Sequence, residues 1–165
     1  MSGNHSVFLL LGGNLGHVEQ AFERVEFLTH KKVGKIVSKS SIYGSKSWGF
    51  ATDNDFLNRV IQVISPLAPE ELLTCILQME KDLGRNRNQV DGGYASRTID
   101  IDILFFDDRV CDTNSLTIPH PKLHERKFTL EPLNEIAPQY IHPVLKKTVA
   151  DLLRDCKDAV PVWKK

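Results

Sequence analysis

The chain has 165 residues, 41% apolar and 25% charged, and its 21 basic and 21 acidic side chains give a formal net charge of zero. That length supports one domain, residues 1–165, with a real hydrophobic core, and the charge balance supplies no global field for nucleic acid or an anionic membrane. No apolar run reaches the length of a membrane span. Met1 to Ser6 lacks a signal-peptide pattern, and Cys75, Cys111 and Cys156 are too scattered for a disulfide framework or a zinc site. A cytoplasmic, reducing home is therefore expected.

Val7 to Leu11 is an apolar run that stops at Gly12-Gly13, the pattern of a buried strand. Asn14 is placed to cap a helix, in which Val18, Ala21, Phe22, Val25 and Leu28 recur at helical spacing before Gly34. Lys35 to Tyr43 reads as a strand, and Gly44 to Asp55 as a long loop. Strand character returns from Phe56 to Ile64. Pro66 and Pro69 introduce a second helix, with Glu70 and Glu71 favourable to its dipole, Leu72, Ile76, Met79 and Leu83 as its stripe, and Gly84 at its end. Arg85 to Ser96 is a second long loop. Two loops of this length in one small domain point to lids or binding loops.

The next strand contains Arg97-Thr98-Ile99-Asp100-Ile101-Asp102-Ile103-Leu104. Alternation sends Ile99, Ile101 and Ile103 to one face and both aspartates to the other. Two like charges on one sheet face repel, and a divalent cation resolves the conflict. Oxygen ligands at this spacing suit Mg²⁺, which takes one or two carboxylates plus substrate phosphates. After Phe106 the chain turns through Asp107-Asp108, pairs near Val110, and forms short helices over Glu125 to Leu130 and Val149 to Asp155. Thr148 and Asp151 fit a capping-box pattern. The order strand, helix, strand, strand, helix, strand predicts an α+β fold, a ferredoxin-like βαββαβ sandwich with a C-terminal extension of short strand and helices.

Three further clusters surround the acidic strand. Arg85, Arg87 and Arg97 flank the loop before it, and guanidinium forks beside a cation-binding pair make sense around a polyphosphate. His120 stands on a stiff segment between Pro119 and Pro121, with Arg126 and Phe128 following. Phe56 and Asn58 share one strand face, where an aromatic and an amide would suit a flat, hydrogen-bonding heterocycle. There is no Walker A loop, no dinucleotide fingerprint, no nucleophile elbow and no metal-spaced His/Cys set. A nucleotide enzyme built this way is not a P-loop enzyme.

In this order, Leu11 to Gly16, Phe56-Leu57-Asn58, Glu80 to Arg87, Arg97 to Ile103 and Pro119-His120 resemble the 6-hydroxymethyl-7,8-dihydropterin pyrophosphokinase family of folate biosynthesis. The resemblance implies pyrophosphoryl transfer from ATP to the pterin hydroxymethyl group, with release of AMP. It implies two Mg²⁺ ions held by Asp100 and Asp102, and Arg85 and Arg97 as the catalytic grip on the moving group. It assigns Arg87, His120 and Arg126 to the ATP side, with Glu80, Ile103, Leu116 and Thr117 around adenosine. It assigns Phe56 and Phe128 to a pterin sandwich, and Asn58 with the Ser45, Ser47 and Trp48 loop to the pterin edge. The expected partners are these two small molecules, with neither nucleic acid nor membrane, and the expected state is a monomer. The Arg87 to Arg97 loop is longer than the family pattern, and Pro121 stands where an aromatic is common.

Overall fold

The computed structural model describes residues 3–46, 55–84 and 99–165. A central antiparallel sheet contains β1 (His5–Gly13), β2 (Lys35–Lys39), β3 (Tyr43–Ser45), β4 (Phe56–Ser65), β5 (Asp100–Phe106) and β8 (Val162–Lys164), in the order β5-β1-β4-β3-β8 with β2 also on β4. A separate ribbon pairs β6 (Cys111–Asp112) with β7 (Thr117–Ile118). The helices are α1 (Val18–Lys32), α2 (Pro69–Asp82), α3 (Lys127–Ile136) and α4 (Val149–Asp155). Among the described residues no helix is long and apolar enough to cross a membrane. The result is a mixed α/β molecule whose sheet separates two apolar layers.

Strand alternation decides which side chain joins which layer. Val7, Leu9 and Leu11 of β1 pack with Ile61, Val63, Ile101 and Ile103 and with Phe22, Val25, Leu72, Ile76 and Met79 from α1 and α2. Phe8, Leu10 and Val60 face the other way, against Leu130, Leu133, Val149 and Leu152 from α3 and α4. β5 changes phase midway. Leu9 pairs with Ile103 but Phe8 pairs with Phe105, so Leu104 is an extra residue in the ladder. As a consequence Leu104 and Phe105, though consecutive, both enter the α3 layer, and Phe106 enters the α1/α2 layer.

Several boundaries differ from the sequence expectation. Asn14 does not cap α1; the chain first turns through Gly16 at φ +73, and the helix starts at Val18 behind His17 with no side-chain cap. The strand expected over 35–43 is broken at Ser40. Its N–H donates to the Val60 carbonyl at 2.9 Å, but its hydroxyl rather than its carbonyl accepts the Val60 N–H, at 3.0 Å. The Ser40 carbonyl instead accepts Arg59 Nε at 2.9 Å. A side chain has entered the ladder, so the strand splits into β2 and β3. Gly44 and Ser45, expected in a loop, belong to β3, while residues 47–54 lie outside the described ones. Val110 is 63% exposed, and pairing begins at Cys111.

The helix expected to end at Leu130 runs on to Ile136 through Pro132, preceded by a 3₁₀ turn at Leu123–Glu125. Proline costs that helix a hydrogen bond, but Thr129, Leu130, Pro132 and Leu133 are buried in one stripe that holds it to the sheet. α4 has its expected limits, and Thr148 Oγ1 accepts the Asp151 N–H at 3.1 Å. β8 went unread in the sequence. Its Trp163 indole occupies space over Gly44, where a Cβ would come within 2.6 Å of the ring.

α3 is pinned to β3 by Glu135. Tyr43 Oη donates to Oε1 at 2.7 Å, and the Ser41 N–H donates to Oε2 at 2.9 Å. Burial, and then the Glu135 carboxylate, pushes the Tyr43 phenol well above its ordinary pKa. Tyr43→Phe removes a charge-assisted bond from a side chain that is 8% exposed. A loss of about 1.5 kcal/mol of unfolding free energy is expected in urea titration; no change would mean that this contact holds nothing together.

Candidate active site

One row of residues crosses the sheet at the end where β1 stops and β5 begins. Tyr43 pairs with Asn58, Asn58 with Gly12, and Gly12 with Asp100. Cross-strand partners share a face, so Asn58, Gly12 and Asp100 all look toward the α3 side, with Asp102 one step along β5 opposite Leu10. Strands lie about 4.8 Å apart, which sets Asn58 and Asp100 roughly 10 Å apart across the glycine. Gly12 is needed there: a Cβ would stand 2.7 Å from Asn58 Oδ1. Phe56 and Ser45, paired across β4 and β3, extend the same face. Asn58 and Ser45 are 4% and 2% exposed, so the polar groups at this end of the face are buried.

Asp100 and Asp102 are half-buried, while Ile101 between them is buried in the α1/α2 layer, as alternation requires. His120 is held beside them. Its N–H donates to the Leu104 carbonyl at 3.0 Å, a contact made at the bulge. Its Nδ1 accepts the Lys122 N–H at 3.1 Å, which leaves the ring proton on Nε2, 4.0 Å from Asp102 Oδ2. Burial, and then the Arg126 guanidinium, lowers the His120 pKa to about 4 against the opposing pull of Asp100. At neutral pH the ring is therefore an uncharged Nε2–H donor. Arg126 ends the 3₁₀ turn and precedes α3, with its guanidinium 5.6 Å from the centroid of the Phe128 ring.

Beyond Asp102 lies a groove of about 290 Å³. Ile101, Ile103, Leu116, Thr117 and His120 line it together with Asp102, joining β5 to the β6–β7 ribbon. Thus Asp102, Ile103, Leu116, Thr117 and His120, scattered over the sequence, meet around one cleft. Glu80 is not among its lining residues; it is buried on α2 with its Oε2 accepting the Ile101 N–H at 2.8 Å. Arg85, Arg87, Arg97, Ser47 and Trp48 lie outside the described residues. Gly12 was missed by sequence reading as a site residue. The signal that points to it is a glycine ending an apolar strand, and its importance depends on which residues lie opposite.

The donor set suits Mg²⁺. Two carboxylates share a face, Asp102 of the pair lining the groove, and among the described residues no three His, Cys, Asp or Glu side chains gather into a closed cage. A hard cation held by one or two carboxylates and completed by phosphate oxygens fits such an open arrangement.

Residues 8–138 match the family model described as 7,8-dihydro-6-hydroxymethylpterin-pyrophosphokinase (HPPK). The chain belongs to the HPPK family. The 2-amino-4-hydroxy-6-hydroxymethyldihydropteridine pyrophosphokinase of Aquifex aeolicus is 40% identical over 151 residues, covering 88% of this chain and 89% of that protein. The enzyme of the same name from Bacillus subtilis is 35% identical over 162 residues, covering 98% and 92%. Among solved structures, a Plasmodium falciparum HPPK-DHPS matches with a TM-score of 0.75 at 19% identity, covering 93% of this chain and 44% of that one. That likeness supports the fold alone, and this chain spans less than half of the fused protein. The HPPK match runs from Phe8 within β1 to just past α3, and so contains every described part of the site.

Proposed function

We propose that this HPPK chain transfers the pyrophosphoryl group of ATP to the hydroxymethyl oxygen of 6-hydroxymethyl-7,8-dihydropterin, releasing AMP, as a step in folate biosynthesis. The observation that carries the reading is the row Asn58–Gly12–Asp100, which sets an amide and a carboxylate on one face about two strand widths apart. Two Mg²⁺ ions held by Asp100 and Asp102 would neutralise polyphosphate charge and polarise the phosphorus under attack. Around them the chain's own groups have separable tasks. Asn58 and Ser45 orient the pterin edge, and Phe56 and Phe128 bracket its ring. Neutral His120 donates from Nε2 to a phosphate or ribose oxygen without adding to the positive charge of the site. Ile103, Leu116 and Thr117 wall the adenosine, and Arg126 closes the phosphate side.

Arg85 and Arg97 grip the transferring group and Arg87 supports it, while Ser47 and Trp48 complete the pterin edge. The spacing of these residues in the sequence and their match to the family pattern support those roles. The antiparallel sheet order, with α1 and α2 on one face, supports a ferredoxin-like core followed by a C-terminal extension. A single pyrophosphokinase domain, monomeric and cytoplasmic, belongs to the same reading, supported by a family match over most of the chain and by three free cysteines. Incubation with ATP, Mg²⁺ and the hydroxymethyl pterin should yield AMP and pyrophosphorylated pterin in equal amounts. Folded protein that yields pyrophosphate instead of AMP, or neither, overturns the proposal.

A further inference from the structure

The C-terminal strand β8 lies beyond residue 138, where the HPPK match ends, yet it extends the sheet beside the proposed pterin face. It pairs with β3 as Tyr43↔Lys164, Gly44↔Trp163 and Ser45↔Val162, while β4 pairs with the same three residues from the other side. β3 has only three residues, and a glycine in the middle of so short a strand weakens it. Its Tyr43 end is tied to Glu135. At its Ser45 end, β8 supplies the outer strand. Alternation puts Gly44 and Leu57 on the face opposite Ser45 and Phe56. There the Trp163 indole fills the place of the absent side chain, so close that a Cβ on Gly44 would stand 2.6 Å from the ring. The Lys46 ammonium lies 5.7 Å from the centroid of that ring and donates to Asp55 Oδ1 at 3.2 Å. Trp163 thus reaches the residue that follows Ser45 and, through it, the residue that precedes Phe56. The Lys46–Asp55 pair is exposed and weak by itself, so the ring on Gly44 is the main contact.

We propose that Trp163 is a positioning residue for pterin recognition: from the reverse face of the sheet it holds β3 against β4, and so fixes the Ser45–Phe56 pair for a flat heterocycle. This role deepens the pterin reading given above and rests on it. The sheet order confines the effect. β8 and β5 are the two ends of the path β5-β1-β4-β3-β8, so three strands separate β8 from the strand that bears Asp100 and Asp102. Loosening β8 should therefore act on the pterin and spare the nucleotide.

The test compares the full-length wild type with Trp163→Ala, Trp163→Phe, Gly44→Ala and the double variant Gly44→Ala/Trp163→Ala. AMP release gives kcat and the KM of each substrate at saturating Mg²⁺, and Tm is followed alongside. Trp163→Ala should raise KM for the hydroxymethyl pterin roughly tenfold, the scale of one misplaced hydrogen bond, with kcat and KM for ATP unchanged. Trp163→Phe keeps a ring over Gly44 and should recover most of that loss. Gly44→Ala should also raise the pterin KM, because its methyl pushes the indole away, but should add nothing once Trp163 is alanine. If Trp163→Ala does not fold, Trp163→Phe takes its place in the cycle, since the smaller ring leaves the methyl more room. Unchanged pterin KM in Trp163→Ala overturns the inference. So does an equal rise in KM for ATP, which would make β8 a general support of the fold. A Gly44→Ala effect that is the same with and without the indole overturns it too, since the methyl would then act on β3 directly. Wild type that shows no pterin-dependent AMP release instead sinks the functional reading, so the two failures are distinguishable.

Discussion

Asp102→Asn is expected to lower AMP release by at least a thousandfold while leaving the thermal transition at or slightly above that of wild type. The loss corresponds to about 4 kcal/mol of transition-state stabilisation, the scale seen when a group aimed at developing charge is removed from an active site. An amide is close in shape to a carboxylate but is a poor ligand for a hard cation. The stability side has its own cause. Asp100 and Asp102 stand two residues apart on one face of β5, roughly 7 Å along the strand. Their repulsion, screened by solvent, is on the order of 1 kcal/mol, and the substitution relieves it. The pairing that holds β5 runs through its backbone to β1, and its anchors Ile101, Ile103 and Phe106 lie on the opposite face. Activity and Tm should therefore separate. Retained turnover would remove Asp102 from the metal site, and collapse of the fold would make it a structural residue.

Gly12→Ala should weaken pterin binding by about ten- to a hundredfold and leave binding of a non-hydrolysable ATP analogue unchanged. The new methyl would press on Asn58 Oδ1 from 2.7 Å, while the nearest backbone atom, the Leu57 carbonyl oxygen, stays at 3.7 Å. The backbone is under no strain, since Gly12 is not among the residues at positive φ. The amide must therefore turn away, and a heterocycle loses a partner built to read its edge, worth about 1.5–3 kcal/mol when a buried polar group is left unpaired. The groove proposed above for the nucleotide is lined by Asp102, Ile103, Leu116 and Thr117 and does not include Gly12. Separate isothermal titrations with each ligand check this. Equal losses for both would mean that the glycine supports the whole sheet end, and an unchanged pterin affinity would dissociate Asn58 from pterin recognition.

What could be read from the sequence was what repeats with a local period. The phase of Asp100 and Asp102 against Ile99, Ile101 and Ile103 follows from alternation, and the structure keeps it. The stripe of α1 and the Thr148 cap of α4 are equally local. Features set by distant partners were not legible. The break at Ser40 depends on Val60 and Arg59, and the pin on α3 joins Tyr43 to a residue 92 positions away. The task of Gly12 depends on register, since only pairing reveals Asn58 on one side and Asp100 on the other. Proline usually ends a helix, but at Pro132 a buried stripe outweighs one missing donor and α3 continues. Glu80 entered through the family resemblance alone, and its hydrogen bond from the Ile101 N–H could be found only in three dimensions.

The extra residue at Leu104 works as a phase shifter between two halves of one strand. Without it, strict two-residue periodicity would tie the orientation of the aspartates to that of Phe105 and Phe106. Deleting Leu104 would then force a choice: keep both phenylalanines seated and rotate the two carboxylates into the α1/α2 layer, or keep the carboxylates outward and turn both rings inside out. The bulge uncouples these demands. The far half of β5 can follow the packing of two cores while the near half keeps its charges on the open face, so variation among the buried aromatics need not reach the end that carries the two aspartates.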